Sequence, residues 1–323
     1  MNLFEKLYTF IIFLAVIIGV SLGQVQLIQA NAESLIVPLL VVMLYITFLQ
    51  IPLKEMKKAF KNTVFTITSV IMNFVWTPIF AWFLAFLFLG EHPALYIGII
   101  MLLVTPCTDW YLIFTGLAKG NVALSAAILP LNLILQIVLL PFYLLIFGGT
   151  AGVIQLEFLV ESILFVLLTP LILATLTKRM LRNQQMRENL ITKLSILPII
   201  FLSLAIVAMF ASQGHLLLEN LDLLWQITIP ILLFFIVNFF VGQSVGKWMR
   251  FSNSDSVSLS LTTLARNSPI ALAIAMTAFP DQPLIALTLV IGPLLELPIL
   301  ASITQVLLFM NKESKTNSKR LLS

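Results

Sequence analysis

Ten stretches of this chain, each roughly as long as a lipid bilayer is thick, run almost without charge, and only lipid can face so much apolar surface. A helix rises about 1.5 Å per residue, so about 20 apolar residues cross a hydrocarbon layer of about 30 Å. The runs lie near residues 7–23, 32–50, 63–89, 94–118, 121–147, 157–177, 193–212, 224–248, 256–279 and 283–310. Of the 323 residues, 60% are hydrophobic and 10% charged, where soluble domains carry about 25% charged. The expected fold is an all-α integral membrane protein of ten transmembrane helices in one domain, 1–310. The first run is longer than a signal-peptide core and lacks an A-x-A cleavage pattern, so it counts as a span. The segment NKESKTNSKRLLS, 311–323, reads as a solvated cytoplasmic tail without regular structure.

Cations set the orientation, because cytoplasmic loops keep Lys and Arg while short translocated loops lose them. Lys6, the 54–61 loop, Lys119, the 178–193 loop, Lys247, Arg250 and the tail hold 17 of the 18 cations, all on one side of a ten-span arrangement. The other side carries Glu33, Glu91, Glu219, Asp222 and Asp281. Both termini are therefore expected in the cytoplasm, with the chain in the plasma membrane. The net charge of +4 expresses this asymmetry and calls for no nucleic-acid partner.

The eighteenth cation, Arg266, falls inside the ninth run. A charge at the bilayer centre costs about 2.5–3.5 kcal/mol even on insertion scales, so such a residue marks polar space within the bundle. A shift of 163 residues places Thr105–Pro106 on Ser268–Pro269 and Pro130 on Pro293. Five spans per half force the second half to insert upside down, giving inverted repeats of about 1–150 and 151–310. Both matched sites read hydroxyl then proline, a helix-start pattern: Thr105 and Ser268 as N-caps, Pro106 and Pro269 at the first helical position. Helices 4 and 9 are thus expected to be broken, their unwound chain meeting at the membrane midplane, as in transporters built on discontinuous helices. Pro38, Pro78, Pro170, Pro198 and Pro230 read as simple kinks.

The polar residues near the breaks are the candidates for a site. Cys107, the lone cysteine, stands beside a helix end that favours thiolate, with Thr105, Thr108 and Ser268 as neighbouring hydroxyls. Arg266 and Asn267 offer donors to a solute, and Asp109 is either a mate for Arg266 or a coupling group. Glu296, in an apolar setting of the tenth run, suits proton uptake and release, or pairs with Arg266. Asn73, Asn132 and Gln136 are possible cavity-lining amides. Glu157 and Glu161 read as interfacial. No nucleotide loop, hydrolase elbow or metalloprotease motif occurs, so neither an ATP-driven pump nor an enzyme is indicated, and no cofactor is expected.

The stretches TPC with LAKGN (Leu117 to Asn121), RNSPIALAIA, and IGPLLELP (Ile291 to Pro298) resemble the arsenical resistance permeases, arsenite efflux carriers of the bile acid/arsenite transporter superfamily. The resemblance covers all ten spans. It implies that Cys107 and Glu296 occupy the positions of that family's functional cysteine and glutamate. Where those permeases usually show R-C-x-A-M, this chain has T-P-C-T-D-W, and ARNSP replaces an asparagine-pair break, which marks a divergent branch. The implied function is proton-coupled efflux of arsenite or antimonite, with Cys107 holding the metalloid and Glu296 the proton. The alternative is sodium-coupled uptake of an organic anion gripped by Arg266, with Asp109, Asn267 and unwound carbonyls around the sodium. A membrane sensor without transport would leave two broken helices and three buried ionisable groups without a purpose.

Overall fold

The structure is a computed structural model that describes residues 3–51, 61–108, 110–148, 156–181, 184–219 and 221–321. Every regular element among them is a helix. In chain order these are α1 (Leu3–Leu22), α2 (Gln26–Gln50), α3 (Thr63–Leu89), α4 (Pro93–Val104), α5 (Trp110–Leu117) and α6 (Val122–Gly148). Next come α7 (Leu156–Ile163 continuing through Thr169–Met180), α8 (Gln184–Leu194), α9 (Leu197–Glu219) and α10 (Leu221–Trp248). The last three are α11 (Asn253–Leu264), α12 (Ser268–Ala278) and α13 (Pro283–Leu321).

Seven helices are long and apolar enough to cross a membrane by themselves: α2, α3, α6, α7, the stretch Asn189–Gly214 that holds most of α9, α10 and α13. Shorter apolar helices cover Phe10–Leu22, Pro93–Val104 and Ser268–Ala278. α11 differs from its neighbours, since NSDSVSLSLTTL is rich in hydroxyls, and its residues from Val257 to Leu264 are buried. Large side chains such as Phe83, Phe86, Phe142, Phe165 and Phe240 are exposed on the outer faces, as expected where the solvent is hydrocarbon. The tail does not fall out of regular structure as its composition suggests: α13 continues to Leu321, helped by Lys, Glu and Arg, which are good helix formers.

Packing places α4, α13 and the interrupted helices at the centre. α4 lies against α13, α3 and α6, while α10 lies against α11 and α3. Two glycines set the α4–α13 distance: a Cβ on Gly98 would stand 2.7 Å from Thr288 Cβ, and one on Gly292 would stand 2.6 Å from Leu102 Cδ1. The backbones therefore approach closely through reciprocal small-residue notches, as in helix packing within membranes. On the other side of the molecule α2 packs on α9, which also carries α1.

Pro78 and Pro170 are more than kinks. Each follows a hydroxyl residue at the end of a π-helical turn, Met72–Trp76 and Leu164–Leu168, in which the amides of Thr77 and Thr169 reach back five residues to Met72 and Leu164. Pro78 has no N–H for the carbonyl of Phe74, and the Tyr143 hydroxyl donates to that oxygen at 2.6 Å. Pro198 lies in the first turn of α9, where a missing N–H costs nothing.

Candidate functional site

α4 ends at Val104 and α11 at Leu264, and the chain beyond each is extended. The two extended pieces run antiparallel and bond to each other: Cys107 N–H donates to the Ala265 carbonyl at 3.0 Å, and Asn267 N–H to the Thr105 carbonyl at 2.8 Å. Unwound backbone at this depth has no water to turn to, and here each break supplies the partner of the other.

The caps differ from the sequence pattern. Thr105 does not cap the following helix; its hydroxyl donates backwards to the Met101 and Leu102 carbonyls, at 2.9 and 3.1 Å, closing the C-terminal end of α4. Pro106 consequently sits in the crossing rather than at the start of a helix, and α5 begins at Trp110. In the second break the N-cap is Asn267, whose side-chain oxygen accepts from Ile270 N–H at 3.3 Å, so Ser268 lies one position inside the helix beside Pro269. Asn is at least as good a cap as Ser, which explains the one-residue shift.

Arg266 is 1% exposed. All three of its side-chain nitrogens are engaged. Nε donates to the Leu264 carbonyl at 3.3 Å, and Nη1 to the Leu103 carbonyl at 3.0 Å. Nη2 donates to Asn73 Oδ1 at 3.0 Å, to the Thr262 carbonyl at 3.4 Å and to the Thr263 carbonyl. The guanidinium carbon lies 5.4 Å from the centre of the Phe234 ring. The backbone N–H of Arg266 donates to Glu296 Oε1 at 2.8 Å. Glu296 is 3% exposed, in a stretch of α13 bounded by Pro293 and Pro298.

Cys107 is 1% exposed, and its sulfur lies within electrostatic range of the guanidinium, as does the Glu296 carboxylate. Thr108 follows, and its hydroxyl accepts from Asn267 Nδ2 at 2.9 Å. Asp109 lies outside the described residues. Asn132 donates from Nδ2 to Thr262 Oγ1 at 3.3 Å, joining α6 to α11. Its oxygen, and both polar atoms of Gln136, are buried without a hydrogen-bond partner among the described residues. Glu157 and Glu161 are exposed.

A cavity of about 540 Å³ opens beside the crossing. Thr108, Asn267, Pro269 and Ile270 form its inner end, α2 and α9 its walls through Met43, Leu44, Thr47 and Leu202, and its far end reaches Gln50, Ile51, Ser195 and Ile196. Ser195 and Ile196 are exposed. Sequence reading missed the α2 and α9 contribution. Thr47 and Gln50 were its only visible signal, two polar residues at the end of an otherwise apolar run.

Comparison with known proteins accords with this architecture. An alignment covering 79% of this chain and 73% of the arsenical-resistance protein Acr3 of Corynebacterium glutamicum is 24% identical. The arsenical-resistance protein Acr3 of Alkaliphilus metalliredigens is 22% identical over 94% of this chain and 92% of its own length. An uncharacterised transporter of Synechocystis sp. is 25% identical over 95% of this chain and 88% of its own length, so the similarity extends across both breaks. The profile of the Sodium Bile acid symporter family matches residues 37–220, more than half of the sequence. With that match, the chain belongs to the Sodium Bile acid symporter family.

Proposed function

We propose that this membrane transporter exports arsenite or antimonite in exchange for protons by alternating access. The reading assigns ten spans in two inverted repeats, about 1–150 and 151–310, with both termini and the 311–323 segment in the cytoplasm of a plasma-membrane protein. The observation that carries it is the crossing itself, where Cys107 and Glu296 are both tied to the 265–266 backbone. The similarity to two arsenical-resistance proteins supports the metalloid as cargo.

Arsenite is a small neutral hydroxide with a soft centre. One thiol exchanges with one hydroxide, forming an As–S bond and releasing water, and a single such bond reverses readily where three would trap the cargo. The solute reaches the crossing through the cavity, which ends at Asn267 and at Thr108, the residue after Cys107. Glu296 takes a proton when its side of the crossing opens outward and releases it inward. Asp109 serves as a second coupling group.

One observation favours a second reading, uptake of an amphipathic organic solute. The cavity is far larger than arsenite and its walls are mostly apolar, within the range of about 300–1,000 Å³ usual for organic ligands. Everted vesicles separate the two. Proton-driven accumulation of arsenite that collapses in Cys107→Ser supports the metalloid. No arsenite movement, with transport of an organic anion unaffected by that substitution, overturns it.

A further inference from the structure

The hydrogen bonds of Arg266 have a common feature: its acceptors are neutral oxygens, and four of the five are main-chain carbonyls at the C-terminal ends of two interrupted helices. The last carbonyls of a helix have no amide to receive, and the end carries about half a negative charge. The carbonyls of Thr262, Thr263 and Leu264 belong to the last turn of α11, and that of Leu103 to the last turn of α4. Thr105 closes Met101 and Leu102, and Ala265 N–H closes Leu261. Arg266 takes the Leu103, Thr262, Thr263 and Leu264 carbonyls, together with Asn73 Oδ1.

Two half-charges from converging helix ends make a place for one positive charge. A ring of carbonyls with one amide oxygen, in a bundle without bulk water, is the ligand set that suits a hard monovalent cation, and carriers with discontinuous helices hold coupling sodium at unwound carbonyls and half-helix C-termini. Here the charge is covalently attached. The Phe234 ring face, 5.4 Å from the guanidinium carbon, completes the enclosure with an aromatic quadrupole that again favours a cation.

We propose that the Arg266 guanidinium is the resident cation of this crossing, standing where a sodium ion would otherwise be coordinated, and that it renders the transporter independent of sodium. The proposal rests on the reading of the crossing as the coupling site. It leaves Glu296 as the group that changes charge during the cycle, since an arginine stays protonated. In a family named for sodium symport, this one side chain sets the choice of coupling ion.

Thermal unfolding of the detergent-solubilised full chain tests this without any cargo, comparing sodium chloride with choline chloride at equal ionic strength. The wild-type chain melts at the same temperature in both, and so does Arg266→Lys, which keeps a charge in the ring. Arg266→Gln removes the charge, leaves the carbonyls facing a void, and gains a saturable sodium response. Sodium tenfold above its dissociation constant raises the melting temperature by about 2 °C. A sodium response in the wild-type chain overturns the proposal, and needs no variant to fold. A monodisperse, cooperatively melting Arg266→Gln that shows no response also overturns it. Neither result depends on whether arsenite is carried, so failure here and failure of the metalloid reading are separable.

Discussion

An arginine sealed from water and held by carbonyls makes steep demands on its neighbours. Arg266→Leu leaves the ends of α4 and α11 with unpaired acceptors, and removing one partner of a buried charged network costs about 3–5 kcal/mol. A chemical-denaturation or thermal series should show that loss, and a change below about 1 kcal/mol would contradict the bonding described. Asn73→Leu removes a single acceptor and should cost less, about 1–3 kcal/mol. Glu296→Gln is a different experiment. The amide oxygen can still accept from the Arg266 N–H, but the negative charge near the guanidinium is lost, so some stability goes with it, while proton-driven efflux falls further, at least about tenfold, a barrier increase of about 1.4 kcal/mol or more. Equal losses of stability and transport would instead reduce Glu296 to a structural pin.

The elements around the crossing were legible in the sequence to different depths. Long apolar runs announce their helices because lipid exposure demands it, and Thr105–Pro106 and Ser268–Pro269 announce interruptions because proline cannot continue the hydrogen-bond ladder. The caps were misplaced because an Asn immediately before the Ser competes for the same role, and because a Thr can close the helix behind it as readily as open the one ahead. The partners of Arg266 were not legible: carbonyls carry no residue signature, and Asn73 lies 193 positions away. The π-helical turns were hidden for a related reason, since a Thr-Pro step does not disclose which carbonyl it orphans. Tyr143→Phe tests that reading of α3. With the Phe74 carbonyl left unpaired, stability should fall by about 1–3 kcal/mol, and a neutral result would mean the turn satisfies itself. Gly98→Leu tests the α4–α13 approach. Its side chain meets Thr288 at once, so α4 must move outward, with a cost of about 1–3 kcal/mol and a loss of transport through displacement of the Thr105–Cys107 break from Glu296.

At the scale of the whole molecule, the cavity relates the crossing to one side of the membrane. Its inner end is Thr108 and Asn267, and its outer end is the exposed Ser195–Ile196 turn next to Lys193. Lys178 lies at the same end, donating to the carbonyls of Phe48 and Ile51 at 2.7 Å each. On the proposed orientation, with cations marking the cytoplasmic side, the cavity opens inward. Thr47, a cavity wall residue, reports this directly. In a Cys107→Ser background, Thr47→Cys should react with a membrane-impermeant thiol reagent in everted vesicles and be protected in right-side-out ones. Cys107 in the unaltered chain, at 1% exposure, should react slowly from either side. Labelling of position 47 only from outside would invert the orientation, and with it the direction of transport.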